Sequence, residues 1–159
     1  MKLKRHFLIC LALLFVVLPV FSQDKISPQT MLIGQWRHMT LVRIIDGTTL
    51  APQQFDGATL LEFNSNNTWQ LTSPNNKSAG TYQWLESGEL ETTTLESGLA
   101  IQIGTVSRKQ VRVDGDRLNL ITVQTAAEAA KFQPVLKSGV RRPSDVVITS
   151  IFSRVSSGK

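Results

Sequence analysis

Few side chains in this sequence are equipped for chemistry: histidine occurs only at His6 and His38, cysteine only at Cys10 and tyrosine only at Tyr82. A Ser-His-Asp arrangement needs an imidazole to take the serine proton, so any such proposal has His38 as its base once the amino-terminal segment is removed. Glu89 and Glu91 share one face of an extended segment, where paired carboxylates can do acid–base work; alternate glutamates equally form a solvated strand face. His38 and Tyr82 can each hydrogen-bond a ligand carboxylate or carbonyl, although a lone inward-facing histidine is also an ordinary core residue. No nucleophile motif is present. The expectation is a non-catalytic protein with no cofactor and no metal.

Residues Met1 to Ser22 have a basic start (Lys2, Lys4, Arg5), an apolar run from Phe7 to Leu18 and small residues Val20 and Ser22 at the exit. That is the layout of a signal peptide spanning 1–22. The run is short of the roughly 20 residues needed to cross a bilayer, so no permanent membrane anchor is expected and the chain is read as exported, periplasmic or secreted. Removing 1–22 from the 159 residues leaves 137, one domain with room for a substantial core. Three basic residues and Cys10 leave with it, so the mature net charge falls to +2, with no thiol for disulfides, thiolate catalysis or cysteine–metal sites. So small a charge argues against a nucleic-acid partner, and the clusters Arg108, Lys109, Arg112 and Lys137, Arg141, Arg142 read as solvated edges or loops.

The remaining chain is patterned for strands. Residues 23–31 form a polar, flexible leader. Leu32 to Ile45 alternates with Trp36, His38, Thr40, Val42 and Ile44 on the inward face. Further strands are expected at Ala58–Asn64, Thr68–Thr72, Thr81–Leu85, Glu89–Leu95, Leu99–Val113, Arg117–Gln124 and Val146–Val155. Between them stand turn residues, of which Asn64-Ser65-Asn66-Asn67 and Asp114-Gly115-Asp116 are the sharpest. Thr125 and Glu128 have capping-box spacing, which predicts a short helix over Ala126–Phe132. The fold class is therefore all-β: an antiparallel, up-and-down, eight-stranded arrangement with one short helix before the last strand. Eight strands suffice to close a barrel, which removes exposed edges, and an open sandwich has the same periodicity.

Leu32-Ile33-Gly34-Gln35-Trp36 resembles the Gly-x-Trp start of lipocalins and fatty-acid-binding proteins. Phe63 with Asn66-Asn67-Thr68-Trp69, then Gly80-Thr81-Tyr82, then Val113 to Leu118, are similar to hairpins of small bacterial lipocalin-like domains. Phe152-Ser153-Arg154-Val155 ends the last strand. The resemblance implies a lipocalin-like barrel over 32–156, with Arg154 packed across the Trp36 indole and Gly34, Trp36 and Arg154 acting as structural closure. The expected helix precedes the last strand here, whereas lipocalins carry theirs after it.

The inward positions of such a barrel include His38, Thr40, Phe63, Trp69, Tyr82, Trp84, Ile103 and Phe152, the candidate ligand-binding residues, with Val42, Thr92, Ile101, Leu120 and Ile148 beside them. Aromatic walls with a few polar groups describe either a small-molecule pocket or a filled core. The leading expectation is binding of a small, largely apolar ligand. The alternative is a filled barrel that serves as a protein-interaction module through Lys137–Arg142 and the Leu99–Val113 strand.

Overall fold

Period-2 alternation runs through nearly every segment between the turns, and each such run pairs with its neighbour as a strand. The computed structural model describes residues 28–127 and 145–156. The expected signal peptide, leader residues 23–27, the Lys137–Arg142 loop and all but Ala126 and Ala127 of the expected helix lie outside them. Those two alanines are helical, and the Ala126 amide donates to the Asp145 carboxylate at 2.8 Å.

A helical turn, α1 (Pro28–Leu32), precedes the long strand β1 (Gly34–Ile45). Two short strands, β2 (Thr48–Thr49) and β3 (Gln53–Gln54), fold back on β1. They follow the turn at Asp46-Gly47, where both residues have positive φ, as a twist-matched hairpin turn demands. Then come β4 (Leu60–Phe63), β5 (Thr68–Thr72), β6 (Lys77–Trp84), β7 (Leu90–Ser97), β8 (Val106–Asp114), β9 (Arg117–Gln124) and β10 (Val146–Arg154). From β4 onward each strand pairs antiparallel with the next, β1 pairs with β4, and β10 returns to β1 from Trp36↔Arg154 to Ile45↔Val146. The eight long strands thus close into an up-and-down barrel. The second edge of β1 is taken in turn by β4, β3 and β2, so its backbone is paired over most of its length.

The core gathers toward the end where β1 begins. Leu32, Trp36, Phe63, Leu90 and Leu118 are almost completely buried, and Tyr82 meets Phe63 edge-on at 5.3 Å. Residues 28–31, expected as the last of a flexible leader, instead belong to α1, because Leu32 anchors that turn in the core. A five-residue helix leaves its last carbonyls without intrahelical partners, and the barrel floor supplies donors for three in succession. Arg154 Nη2 donates to Met31 O at 2.6 Å, Trp36 Nε1 to Leu32 O at 2.8 Å and Arg154 Nη1 to Ile33 O at 3.1 Å. The guanidinium lies 4.1 Å over the Trp36 indole. Gly34 makes the approach possible: its φ is +129°, and a Cβ there would stand 2.9 Å from Arg154 Nη1.

Two expected strands are interrupted. In β1, His38 pairs with Phe152 and Thr40 with Ile151, so Met39 is an extra residue, a β-bulge. Its carbonyl is used by the Phe55 amide at 2.9 Å. Beyond the bulge the faces exchange: Leu41 pairs with the inward Ser150, and Thr40 and Val42, expected inward, lie on the outer face. The Leu99–Val113 segment is a strand only from Val106. Before it, Ala100–Gln102 is a 3₁₀ turn, and Gly104 at φ +80° turns the chain back so that its amide donates to Thr94 O at 2.8 Å. Ile101 and Ile103, expected inside, are therefore 69% and 52% exposed.

Candidate functional site

The alternation of β8 is regular: Ser107, Lys109, Val111 and Val113 point in, while Val106, Arg108, Gln110 and Arg112 point out. Arg108 accordingly meets Glu91 on the outer surface at 2.9 Å, and Gln83 joins the same carboxylate at 2.8 Å. These partners hold the Glu91 carboxyl below its usual range. The Glu89/Glu91 face is thus an external ladder rather than an acid–base pair. Lys109, one residue along, has the opposite fate.

Lys109 reaches into a cavity of about 200 Å³ inside the barrel. Phe63, Trp69 and Phe152 form its aromatic wall, and Leu61, Leu71 and Leu120 its aliphatic one. Among the described residues of the lining, the hydroxyls of Thr92, Thr122 and Ser150 are the other polar groups, and Lys109 is the one charged side chain. Lys109 Nζ donates to Thr92 Oγ1 at 2.8 Å, and Thr92 passes its own proton donation to Ser107 O at 3.3 Å. Burial, with no counter-charge among the described residues, pushes the Lys109 amine down from 10.5 to about 8. An ammonium has three N–H donors, so the Thr92 contact leaves capacity for a guest.

Local sequence explains why room is left around this amine. Trp69 stands opposite Gly80 across the β5–β6 ladder, and its Nε1 donates to Thr81 O at 3.1 Å. A Cβ at Gly80 would fall 1.8 Å from Thr93 O, so no side chain can stand beneath that indole. Small or hydroxylated residues at Thr92, Thr122 and Ser150 leave space where a leucine would fill it.

Of the eight expected ligand-binding residues, Phe63, Trp69 and Phe152 line the cavity, and so do Thr92 and Leu120 from the wider inward set. Ile148 pairs with the lining residue Thr122 and shares its face. Tyr82 belongs to the floor, where its hydroxyl donates to Asn64 O at 2.7 Å and burial pushes its pKa up. Trp84 is partly buried outside the lining, its Nε1 without a partner. Thr40 is external and bonded to Gln54 at 3.0 Å, and Ile103 is on the exposed loop.

His38 is buried but stands one ring behind the cavity. Its imidazole stacks on Phe55 at 4.1 Å and on Phe152 at 4.6 Å, both nearly parallel, which places the two rings on opposite faces. Desolvation lowers its pKa below 6.5, a hydrogen bond with the Thr40 backbone opposing this, and Nε2 has no partner among the described residues. Since the folded state disfavours the imidazolium, stability falls as pH drops below 6.5 toward the depressed folded value. His38→Phe preserves the stack and removes the orphaned nitrogen. It is expected to stabilise by about 1 kcal/mol and to lose that acid sensitivity, read from urea midpoints on either side of pH 6.5.

Lys109 was hidden in the sequence by its neighbours: between Arg108 and Arg112 it reads as part of a solvated basic cluster. The signal that places it inside is its phase with Val111 and Val113, two and four residues on.

No family model matches this chain, and no curated protein matches it in sequence. The fold itself defines the class: a closed eight-stranded antiparallel barrel, an architecture consistent with the calycin type, with a partly open, mostly apolar cavity that has one amine among its described lining residues.

Proposed function

We propose that this protein is an exported, non-catalytic binder of a small, largely apolar molecule whose polar end accepts a hydrogen bond from Lys109. The observation that carries the reading is the cavity: about 200 Å³, six apolar side chains and one amine whose partner among the described residues is the Thr92 hydroxyl. Its size restricts the guest. Engineered cavities of about 150 Å³ take benzene, whereas pockets for drug-sized molecules run to about 300–1,000 Å³, so a one-ring or short-chain compound suits it better than a long-chain lipid. Apolar contact supplies affinity at about 25 cal/mol per Å² removed from water, and the amine supplies orientation.

Trp69 in the wall provides the assay. Titration with one-ring ligands is expected to change its fluorescence saturably, and Ser150→Leu, which extends an apolar side chain into the space, is expected to weaken binding at least tenfold. A wild-type protein that binds none of a panel of such compounds would rule the reading out.

A second reading has its own observation. Leu95, Leu99, Ile101, Ile103 and Val106 are each more than half exposed on one hairpin end, an apolar cluster of the kind that marks protein contacts. If that end joins a second copy of the chain, Ile101→Asp should abolish a concentration-dependent rise in sedimentation coefficient; a wild type that stays monomeric at high concentration excludes self-association there.

A further inference from the structure

We propose that Lys109 captures small aldehydes inside the barrel as a reversible imine, a deepening of the site that rests on its proposed role as a ligand cavity. An amine nucleophile needs three conditions: access to the carbonyl, a lone pair free of its proton, and surroundings that do not return the imine to aldehyde and amine at once. The cavity provides all three. Lys109 Nζ stands in its wall with Thr92 as its hydrogen-bond partner, so it is held in place with no acidic group among the described lining residues to keep it charged.

Among the described residues, the charged and titratable groups around it are few. The inner face of β7 presents Leu90 and Thr92, that of β9 presents Leu118, Leu120 and Thr122, and β8 itself adds Ser107 and Val111. The nearest ion pair, Arg108 with Glu91, is on the outer face. With its pKa near 8, the amine is about half unprotonated at that pH, against under 1% for an ordinary lysine. That is about a hundredfold more nucleophile, offset in part because a less basic amine attacks more slowly.

The step balances without any oxidant or reductant. The Nζ lone pair forms the N–C bond as the carbonyl π pair moves to oxygen, and the proton lost from nitrogen is taken up by that oxygen, giving a carbinolamine. The hydroxyl then leaves as water, taking up the remaining nitrogen proton, while the nitrogen lone pair forms the C=N bond. One aldehyde and one amine give one imine and one water. Thr122 and Ser150 bring hydroxyls to the same wall that can hydrogen-bond the carbonyl oxygen and pass protons. The six apolar side chains leave water few polar partners beside the imine.

The test incubates the full chain with benzaldehyde at about pH 8, chosen from the amine's own pKa, reduces with sodium cyanoborohydride and maps benzylated lysines by peptide mass spectrometry. Lys109 is expected to carry the benzyl group at least tenfold above any other lysine. Benzyl alcohol, which has the shape without the carbonyl, should compete. Lys109→Met should still bind benzyl alcohol through the apolar wall, more weakly for want of the amine's hydrogen bond, while its labelling falls to the background of surface lysines. Even labelling of all lysines, with benzyl alcohol still bound by the wild type, overturns imine capture and leaves the ligand site standing. Failure of the wild type to bind benzyl alcohol overturns both.

Discussion

Lys109→Met is expected to stabilise the ligand-free protein by about 2 kcal/mol at neutral pH. The reason is the direction of the Lys109 shift: burial lowers its pKa from 10.5 to about 8, so the folded state penalises a proton that the unfolded chain holds freely. Between those values the unfolded chain binds more protons than the folded one, and stability rises with pH. The penalty is therefore present in full below about pH 8 and is lifted toward pH 10.5. Its upper bound is about 3 kcal/mol, at 1.36 kcal/mol per pKa unit, and relaxation around the amine reduces it. Methionine keeps the unbranched apolar stem and has no proton to lose. Urea midpoints of wild type and Lys109→Met should converge as pH rises from 7 to 10; a constant difference would show that the amine is solvated. A gain in stability from removing a residue is the expected signature of a group retained for function rather than for the fold.

The opposite sign is expected at the closed end of the barrel, where Arg154→Ala should destabilise by about 3 kcal/mol. The guanidinium lies over Trp36 at 4.1 Å, worth about 0.5–2 kcal/mol, and its removal strips the donors from Met31 O and Ile33 O, each orphaned carbonyl costing about 1 kcal/mol or more. The contact with Asp116 at 3.8 Å contributes little, since that carboxylate is 89% exposed. Arg154→Lys keeps the charge but not the planar fork that spans two carbonyls and covers the indole, so it should recover less than half of the loss. Hydrogen exchange at the start of β1 should rise in step, because α1 is held by the same side chains. Equal midpoints for Arg154→Lys and wild type would mean that charge alone, not the fork, secures the floor.

How much of this was legible beforehand depends on whether the governing interactions are local. The Asn64–Asn67 turn announces itself because Asn67 takes φ +62° and Asn66 Oδ1 accepts from both the amide and hydroxyl of Thr68, all within five residues. Alternation in Leu60–Phe63 and Arg117–Gln124 likewise names the inward residues correctly. The bulge at Met39 could not be read that way. It exists because β10 pairs with one register below it and another above, and the Phe55 amide takes the bulged carbonyl; every side chain beyond it changes face in consequence. Ile101 and Ile103 kept their strand-like alternation, yet Gly104 and the backbone bonds to Thr94 turn that stretch into an exposed loop. His38 is the one histidine after the amino-terminal segment, and only the stacking of Phe55 and Phe152 shows that it backs the wall.

The sequence by itself determined an all-β chain of eight principal strands joined by hairpins, and the Trp36–Arg154 pairing that its resemblance implied, because alternation and turn chemistry act over a few residues and closure requires the first and last strands to meet. Only the tertiary structure decided that the barrel keeps a cavity and that Lys109 faces it. Cavity volume is a sum over side chains from most of the wall, and the acidity of a lysine depends on what surrounds it in space: with no carboxylate among the described lining residues, an amine that looks like one more surface charge stands inside with its pKa lowered.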